Sequence, residues 1–578
     1  MREIFNELIS VQKPARYIGE EWNIVKKDWN KVDIKILVSY PDVYEIGMSN
    51  QGLLLLYELL NSRDDVLAER CFAPWFDFER YLRERNLHLY SLETKTPINE
   101  FDLIGFTLQH ELNYTNVITI LDLGGLKIWQ RERTEKHPLV VGGGPCTLNP
   151  EPVADFFDFF IVGEAEEIIW DVLERVKEWR RGKISRRNLL EKLSEFHCVY
   201  VPSVYRVYKN RWGYLVPQID RKVNKAYLKN IDSVIYPYRP VVPYIQTVHD
   251  RINLEIMRGC PRSCRFCQAR IYYSPWRIRN PDILKKIAVE SYRNTGYEEI
   301  CLGSLSTGDY PYLEELILKL RHAFSDRHVF LSLPSLWGDE RVINILAQFS
   351  DCKRPGLTFA PEVSSFRMKK LISKYVLEEK LLQIMEYSFN HGWKQVKLYY
   401  ILGLPGLTLN DLQGLPEFIY KILSLQTRRK PRIKLSFATF IPKPHTQLQW
   451  AGFASREEVE AQAEYLKKKL RHIRIEWEFR EYEFSLLETV LARGDRTLCE
   501  VIYNAWLDGA RFDSWSKEFN FHLWYNAFDK VGIDYTHFVD TKWEREVIFP
   551  WEHIQAGPDD KEKSWKGFVA ALKNGGVI

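Results

Sequence analysis

The second half of this chain alternates short apolar runs with helical segments in a regular order. Such alternation is typical of βαβ units, whose right-handed crossovers place successive strands side by side in a parallel sheet. Six units in a row predict a parallel barrel or part of one, with functional groups at the strand ends. The candidate strands run from Leu254 to Met257, Glu299 to Leu302, Val329 to Leu333, Leu357 to Phe359, Val396 to Leu402 and Ile433 to Phe440.

A second series of the same kind precedes it, and we interpret that series as a doubly wound, Rossmann-like parallel sheet. Ligands of such sheets bind at the carboxyl ends of the strands. The glycine run 142–144 ends one strand and suits either a close approach of a ligand or a tight turn. It is not a G-x-G-x-x-G sequence, so it does not indicate a dinucleotide site. The candidate strands are Ile34 to Ser39, Leu103 to Thr107, Leu139 to Val141 and Phe159 to Val162.

Beyond about residue 456 the pattern becomes helical, and this region is rich in tryptophan. A packed core accounts for these rings, and recognition of a substrate or partner is the alternative. The predicted fold class is therefore α/β: a Rossmann-like sheet, then a partial (β/α)6 TIM barrel, then a mainly helical C-terminal region. We place a lead segment at 1–30 and the three domains at 31–235, 236–455 and 456–578. The tryptophans are Trp506, Trp515, Trp524, Trp543 and Trp551.

Length and composition agree with a soluble, multidomain protein. A chain of 578 residues exceeds what one hydrophobic core usually organises. No apolar run is long enough to span a bilayer, so we expect a cytoplasmic protein with no membrane partner. The net charge of +4 is too small a surplus to indicate a nucleic-acid partner by itself.

Three of the nine cysteines, Cys260, Cys264 and Cys267, have a C-x3-C-x2-C spacing directly after the first barrel strand. Three thiolates on one tight loop can ligate three irons of a [4Fe–4S] cluster, and such clusters normally take four cysteines. One iron is then open to a substrate. A zinc site lacks an obvious fourth ligand nearby, and a disulfide does not suit a reducing cytoplasm, so both are weaker alternatives.

The cysteine motif closely resembles that of the radical S-adenosylmethionine (SAM) superfamily. The resemblance implies that the open iron chelates the amino and carboxylate groups of SAM, which one electron cleaves to a 5′-deoxyadenosyl radical. It also implies cofactor contacts from the aromatic residue inside the motif and from the ends of the later barrel strands. His445, in the loop after the last strand, is a candidate proton donor. The candidate cofactor contacts are Phe266, Gly303, Ser304, Ser306, Glu362, Pro405 and Ile441.

Further segments resemble one subfamily, which joins a cobalamin-binding-like domain to a radical domain. The resemblance covers nearly the whole chain and includes the segments 12–21, 41–49, 493–496, 509–515 and 550–554. The D-x-H-x-x-G run that supplies a lower ligand to cobalamin in related groups is absent. The sequence therefore leaves two alternatives for this domain. It binds cobalamin without a protein ligand to the cobalt, or it binds the substrate instead of cobalamin.

The first hypothesis for function is a radical SAM enzyme that methylates or thiomethylates an RNA, a protein or a small molecule. The stretch 440–450 resembles methylthiotransferases that modify tRNA and a ribosomal protein. Those enzymes carry a second cluster, for which Cys71, Cys146 and Cys198 are candidates, although buried structural thiols also explain them. An electron donor such as flavodoxin or ferredoxin is then expected.

The second hypothesis is a non-enzymatic iron–sulfur sensor, or a factor that associates with RNA or the ribosome. It would use the tryptophan-rich region and two basic segments, 177–187 and 428–432. Runs of basic residues are mostly solvated surface, and binding of RNA phosphates is the alternative.

Overall fold

The N-terminal domain is built on one six-stranded sheet. The structure is a computed structural model that describes residues 8–219, 221–333, 336–339, 341–347, 356–427, 431–540, 542, 544–557 and 559–578. The strand order is β2-β1-β3-β4-β5-β6, and all neighbours are parallel except β5 and β6. The strands are β1 Ile34–Tyr40, β2 Val66–Phe72, β3 Leu103–Thr107, β4 Leu139–Gly143, β5 Phe159–Ile161 and β6 Val199–Tyr200.

Five helices cover the two faces of this sheet, as the doubly wound prediction requires. The four predicted strands are confirmed, and β2 and β6 are additional. β2 is buried along its whole length although it contains Glu69 and Arg70. Charged residues interrupt the apolar pattern that marks a strand in a sequence, so this one was missed. The helices are Gln51–Asn61, Phe76–Glu84, Tyr114–Leu123, Ile168–Arg180 and Arg186–Ser194.

Three short strands lie between this sheet and the barrel. β7 (Val207–Lys209) and β8 (Leu215–Pro217) form an antiparallel hairpin. β9 (Val223–Asn224) pairs in parallel with the last strand of the chain, β19 (Ile554–Gln555). The C-terminal region therefore returns to the segment that joins the first two domains.

The barrel strands occur in the predicted order and run parallel. In the part of the chain that the structure describes they form two sheets, β10-β13-β14 and β15-β16-β17-β18. β16 and β17 alternate buried and half-buried residues along most of their length, which is the pattern of strands that pack on a core on one face. β11 and β12 form a separate antiparallel pair. The strands are β10 Ile252–Glu255, β11 Met257–Arg258, β12 Arg277–Ile278, β13 Glu299–Gly303, β14 Phe330–Ser332, β15 Leu357–Glu362, β16 Gln395–Leu402, β17 Arg432–Thr439 and β18 Glu476–Phe479.

The helices between these strands complete the α/β architecture, so the predicted fold class is confirmed. β18 was not predicted: it follows a helix of the region that reads as helical in the sequence, yet it pairs in parallel with β17. The helices of this part are Gln268–Tyr272, Pro281–Thr295, Leu313–Ala323, Arg341–Ala347, Phe366–Ile372, Glu378–Asn390, Gly414–Leu423 and Arg456–Leu470.

The remaining helices pack against both preceding domains. Trp506, Trp524 and Trp551 are buried, as a packed core requires, whereas Trp543 lies outside the described residues. Helix Leu498–Leu507 contacts helix Tyr114–Leu123 of the first sheet, and the last helix contacts helix Phe366–Ile372 of the barrel. The helices are Tyr482–Arg493, Leu498–Leu507, Phe521–Val531, Thr536–Val539 and Lys561–Asn574.

Candidate active site

The cysteine loop begins where β11 ends, at the mouth of the barrel. Gly259 has a φ of 84°, and a Cβ there would meet the Pro275 carbonyl oxygen at 2.7 Å, so only glycine allows the loop to turn at this point. Arg262 inside the loop binds both carboxylate oxygens of Asp309, at 2.7 and 2.6 Å. This bidentate pair fixes the loop against the end of β13.

Cys260, Cys264 and Cys267 all line one cavity of about 300 Å³. They are half-buried, whereas the other described cysteines are fully buried. Burial raises the pKa of the Cys264 thiol to about 12 and raises the pKa values of Cys260 and Cys267 as well. Metal binding must therefore displace protons from these thiols.

The spread of the three thiols suits a cluster better than a single zinc ion. Ligand sulfurs of one tetrahedral zinc lie about 3.8 Å apart, given Zn–S bonds of about 2.3 Å. Among the described residues the one group of three metal-ligand side chains within 4.8 Å of one another is His110, Glu111 and Glu488, which contains none of the cysteines. A [4Fe–4S] cluster places each thiolate on a different iron and so needs this wider spacing.

The His110 group is an ion cluster that joins the three parts of the chain. Lys443, in the loop after β17, lies 2.7 Å from Glu111 Oε1 and 3.0 Å from Glu488 Oε1. Arg480 lies 2.9 Å from Glu488 Oε2. Because these cations already neutralise both carboxylates, we assign no metal ion to this group.

The wall of the cysteine cavity contains a buried ion pair that the sequence did not reveal. Lys374 Nζ lies 2.8 Å from Glu362 Oε1, and both residues line the cavity. Glu362 has a φ of 66° and lies where the pairing of β15 and β16 shifts register. A non-glycine residue in this conformation stores strain, which is common at functional sites. Burial raises the pKa of the Glu362 carboxyl, and Lys374 opposes this shift.

Trp337 lies in the same wall, between two cations. The Arg262 guanidinium is 4.3 Å and the Lys374 ammonium 5.3 Å from its ring centre. Trp337 lies four residues after the predicted strand Val329 to Leu333, whereas Lys374 is far from the end of a predicted strand. Only the fold brings them to the cysteines, and a lone lysine or tryptophan in a sequence carries no signal for this.

The structure brings some of the predicted contacts to the cavity and leaves others outside it. Phe266, Ser306 and Glu362 line the cavity with the cysteines. Ser304 Oγ lies 3.1 Å from Thr307 Oγ1 within its own turn, and a Cβ at Gly303 would meet Asn253. The residues that do not line it are Gly303, Ser304, Pro405 and Ile441.

His445, the candidate proton donor, is held by a hydrogen bond to the backbone. It has a φ of 63°, and its Nε2 lies 2.9 Å from the Leu148 carbonyl oxygen. Burial lowers its pKa to about 4, so the ring is neutral near pH 7. A neutral imidazole whose Nε2 proton is donated to a carbonyl holds the loop after β17 in place.

The first predicted basic segment is used for internal ion pairs. Each of its cations named below lies within 3.0 Å of a carboxylate oxygen, so this segment offers little free charge to a polyanion. In the second segment, residues 428–430 lie outside the described residues. The pairs are Lys177 with Glu174, Arg180 with Asp102, Arg181 with Asp33, Arg186 with Asp158 and Arg187 with Glu191.

The candidate residues for a second cluster lie on different elements. Cys71 is in β2, Cys146 follows β4 and Cys198 precedes β6. All three are buried, and burial raises their pKa values. Full burial on three different elements is a property of structural thiols, whereas the three cysteines of the loop are half-buried and line one cavity.

A second cavity, of about 290 Å³, lies against one face of the first sheet. Apolar residues of β1, β3 and β4 and of helix Gln51–Asn61 form its walls. Gly143, from the glycine run 142–144, leaves empty space at the floor of this cavity, since a Cβ there would have no atom within 4 Å. At its mouth, near the cysteine loop, Arg258 lies 2.7 Å from Glu166 Oε1. No histidine is among the described residues that line it.

This cavity bears on cobalamin, because it extends to the carboxyl ends of β3 and β4, where such sheets bind ligands. The glycine floor and apolar walls suit the flat ring of a nucleotide-like tail. Beside it, however, the end of β1 is covered by the C-terminal region: Trp515 Nε1 donates to Asp42 Oδ1 at 2.9 Å. The residues present thus fit the tail of cobalamin and offer no histidine to its cobalt.

The sequence matches two families of known proteins. Residues 254–419 match the radical SAM superfamily, and residues 52–202 match the family of N-terminal domains of radical SAM proteins. The protein MJ0966 of Methanocaldococcus jannaschii is 31% identical over 474 residues, which are 81% of this chain and 90% of that relative. The chain belongs to the radical SAM superfamily. The cofactors of such a protein are a [4Fe–4S] cluster and SAM, so the predicted family and these two cofactors are confirmed.

Solved structures of radical SAM proteins are similar to this one at lower identity. The methyltransferase TsrM of Kitasatospora setae with cobalamin and a [4Fe–4S] cluster bound has a TM-score of 0.46 and 15% identity, over 70% of this chain and 74% of that one. TsrM with tryptophan and a SAM analogue bound has a TM-score of 0.44 and 13% identity, over 69% and 72%. The hydrogenase maturase HydG of Carboxydothermus hydrogenoformans has a TM-score of 0.26 and 15% identity, over 42% and 57%. Among the described residues, no helix is both long and apolar enough to cross a membrane.

Proposed function

We propose that this radical SAM protein cleaves SAM reductively and uses the product to methylate or thiomethylate a substrate. The observation that carries the proposal is the convergence of three half-buried thiols on one cavity, while the other described cysteines are buried elsewhere. A [4Fe–4S] cluster in this cavity supplies the electron that splits SAM into methionine and a 5′-deoxyadenosyl radical. The chain itself holds the cluster, orients SAM and excludes water.

We assign the cluster to Cys260, Cys264 and Cys267, which leaves one iron without a protein ligand. The Glu362 and Lys374 pair suits the amino-acid end of SAM, because that end carries one ammonium and one carboxylate group. Each partner of the pair can exchange its present contact for the opposite charge on the ligand. Phe266 and Ser306 lie in the same cavity and complete the proposed SAM contacts.

We expect Lys374→Met to weaken the binding of SAM by about tenfold or more, because a charge-assisted hydrogen bond contributes about 1.5–3 kcal/mol. Equilibrium dialysis of labelled SAM against the anaerobically reconstituted protein measures this. Lys370→Met is the matched control, since Lys370 lies four residues earlier, on the helix that precedes Lys374, but is exposed and outside the cavity. Equal affinities for the two variants would contradict the assignment of Lys374.

Cobalamin would lie with its tail in the cavity of the first sheet. We expect anaerobically purified protein, supplied with cobalamin, to retain about one equivalent, visible in its absorption spectrum. Gly143→Val adds volume to the floor of this cavity, where a Cβ has no atom within 4 Å, and should lower the retained amount at least about tenfold. Gly414→Val, whose nearest neighbour is an ordinary contact at 3.6 Å, is the control. If the wild-type protein retains no cobalamin, this assignment is wrong, and substrate is the remaining candidate ligand of the cavity.

The alternative function is an iron–sulfur sensor or an RNA-associated factor that leaves SAM intact. The two functions are separated by incubating the reconstituted protein with SAM and a reductant. 5′-Deoxyadenosine supports the enzyme, and S-adenosylhomocysteine in addition supports methyl transfer. SAM left intact after long incubation supports the sensor. For the enzyme we propose an electron donor of the flavodoxin or ferredoxin class.

A further inference from the structure

A strongly basic segment lies between the first sheet and the barrel. Residues 203–230 contain seven basic residues and one acidic residue, whereas the whole chain has a surplus of only +4. This segment includes the β7–β8 hairpin and β9. The excess of positive charge is therefore concentrated at one place on the molecule.

Six of the seven basic side chains are exposed, and none of the six makes an ion pair with a described carboxylate. Two of them have other contacts: Arg221 donates to the Glu195 carbonyl oxygen, and Arg211 lies 4.1 Å from the ring centre of Trp212. In contrast, five of the six cations of the segment 177–187, all except Lys183, lie in ion pairs. We call these six residues the basic surface: Arg206, Lys209, Arg211, Arg221, Lys222 and Lys229.

The seventh basic residue, Lys225, has a structural role. Its Nζ donates to the carbonyl oxygens of Ile271, Tyr272 and Ser274 at 2.8, 2.7 and 2.6 Å. These residues end the short helix that follows the cysteine loop. The segment that carries the basic surface is thus bonded to the helix Gln268–Tyr272, which directly follows the cysteine loop.

Exposed aromatic rings alternate with these cations. The exposed fraction is 44% for Tyr208 and 47% for Tyr227. Proteins that bind single-stranded nucleic acid combine a positively charged track for the phosphates with aromatic rings on which bases stack. An acidic protein partner would use the cations but would not need the rings, so the interleaved pattern favours nucleic acid.

The basic surface leads to a third cavity, beside the cysteine loop. This cavity has a volume of about 230 Å³ and is lined by Cys260 and by side chains of both charges: the cations Lys222, Arg270 and Lys561 and the carboxylates Glu552, Asp559 and Asp560. The pairing of β9 with β19 joins the hairpin region to the wall of this cavity. Cys260 also lines the cysteine cavity, so the two cavities meet at the first cysteine.

We propose that the basic surface binds a single strand of nucleic acid and delivers one nucleotide into this third cavity. The binding step stands on the charges and rings of the surface. Modification of the bound strand rests in addition on the proposed function. The two can fail separately, because binding is measured without SAM or reductant.

The test is the affinity of the reconstituted full-length protein for fluorescein-labelled 12-nucleotide RNA and DNA single strands, measured by fluorescence anisotropy from 50 to 300 mM salt. We expect the triple variant R206Q/K209Q/R211Q to lower the slope of log affinity against log salt by about 2, since each phosphate contact on a single strand contributes about 0.7. We also expect Tyr208→Ala to weaken binding about tenfold through lost stacking.

The matched control is R181Q/K183Q/R187Q, which removes the same charge from the other basic segment. Circular dichroism verifies that each variant is folded. Binding that is lost in the first triple variant and kept in the control supports the proposal, whether RNA or DNA binds more tightly. The proposal is overturned by undetectable binding at 50 mM salt, or by equal losses in both variants. A third outcome also overturns the proposal. If the first triple variant keeps its affinity for the single strands but its cluster is no longer reduced by an acidic electron-carrier protein, the basic surface binds that carrier instead.

Discussion

Cys264→Ala is expected to abolish the formation of 5′-deoxyadenosine. The side chain supplies one of three protein ligands, and two thiolates do not retain a [4Fe–4S] cluster with an open iron. We expect the wild-type protein to contain about four irons per chain after anaerobic reconstitution, because only one loop supplies ligands. The variant should contain far less. Iron and sulfide analysis, together with chromatography of the products after incubation with SAM and dithionite, measures both effects.

Cys301→Ala provides the control for this experiment. Cys301 is a buried cysteine of β13, in the same barrel, and it does not line the cysteine cavity. This variant should keep its irons and its activity. Product formation by Cys264→Ala at the wild-type rate would contradict the assignment of the cluster to this loop. Clearly more than four irons per chain in the wild-type protein would indicate a second cluster.

Arg493→Met is expected to destabilise the protein by about 4 kcal/mol, because it leaves several buried carbonyl groups without a donor. The guanidinium is buried and donates to Phe538, Gln449 and Ala451 carbonyl oxygens at 2.6, 2.7 and 3.2 Å. One side chain thus joins the loop after β17 to the C-terminal region. Methionine keeps most of the volume, so the loss arises from hydrogen bonds rather than from a cavity.

A thermal scan of the anaerobic protein measures this effect as a fall of several degrees in the unfolding midpoint. Arg456→Met is the control, since this arginine is partly exposed and its pairs with Glu460 and Glu483 are surface ion pairs. Such pairs contribute about 0–1 kcal/mol. If the two variants have the same unfolding midpoint, Arg493 does not stabilise the contact between these segments.

The sequence allowed the strands to be predicted wherever apolar residues alternate or run together, as in β16 and β17. It failed at β2, because Arg70 is fully buried there between Glu21 and Glu93 and breaks the apolar run. Partners that satisfy a buried charge come from other elements, and their positions are unknown until the chain is folded. A short sequence pattern therefore predicts a buried strand only when the residues of that strand are themselves apolar.

In the candidate site, too, the sequence predicted residues that lie close together in the chain and missed contacts between residues that are far apart in it. The spacing of the cysteines predicted the cluster loop, because its three ligands lie within eight consecutive residues. The ion pair of Glu362 and Lys374 was half predicted: the end of β15 indicated the glutamate, but nothing local indicated the lysine. The first basic segment of the sequence did not predict free charge, since five of the six cations of 177–187 are paired within the fold. Only the structure separates exposed charge from charge that is already neutralised.

The pairing of β9 with β19 has a consequence for the order of assembly in the cell. The chain emerges from the ribosome from its N-terminus, and domains fold as they appear. The cysteine loop is synthesised long before the segment 551–564, which closes the cavity beside Cys260. During that interval the loop lacks this wall, and an iron–sulfur donor can reach it. Docking of the last strand then leaves the cysteine cavity, which this segment does not line, as the way to the three thiols.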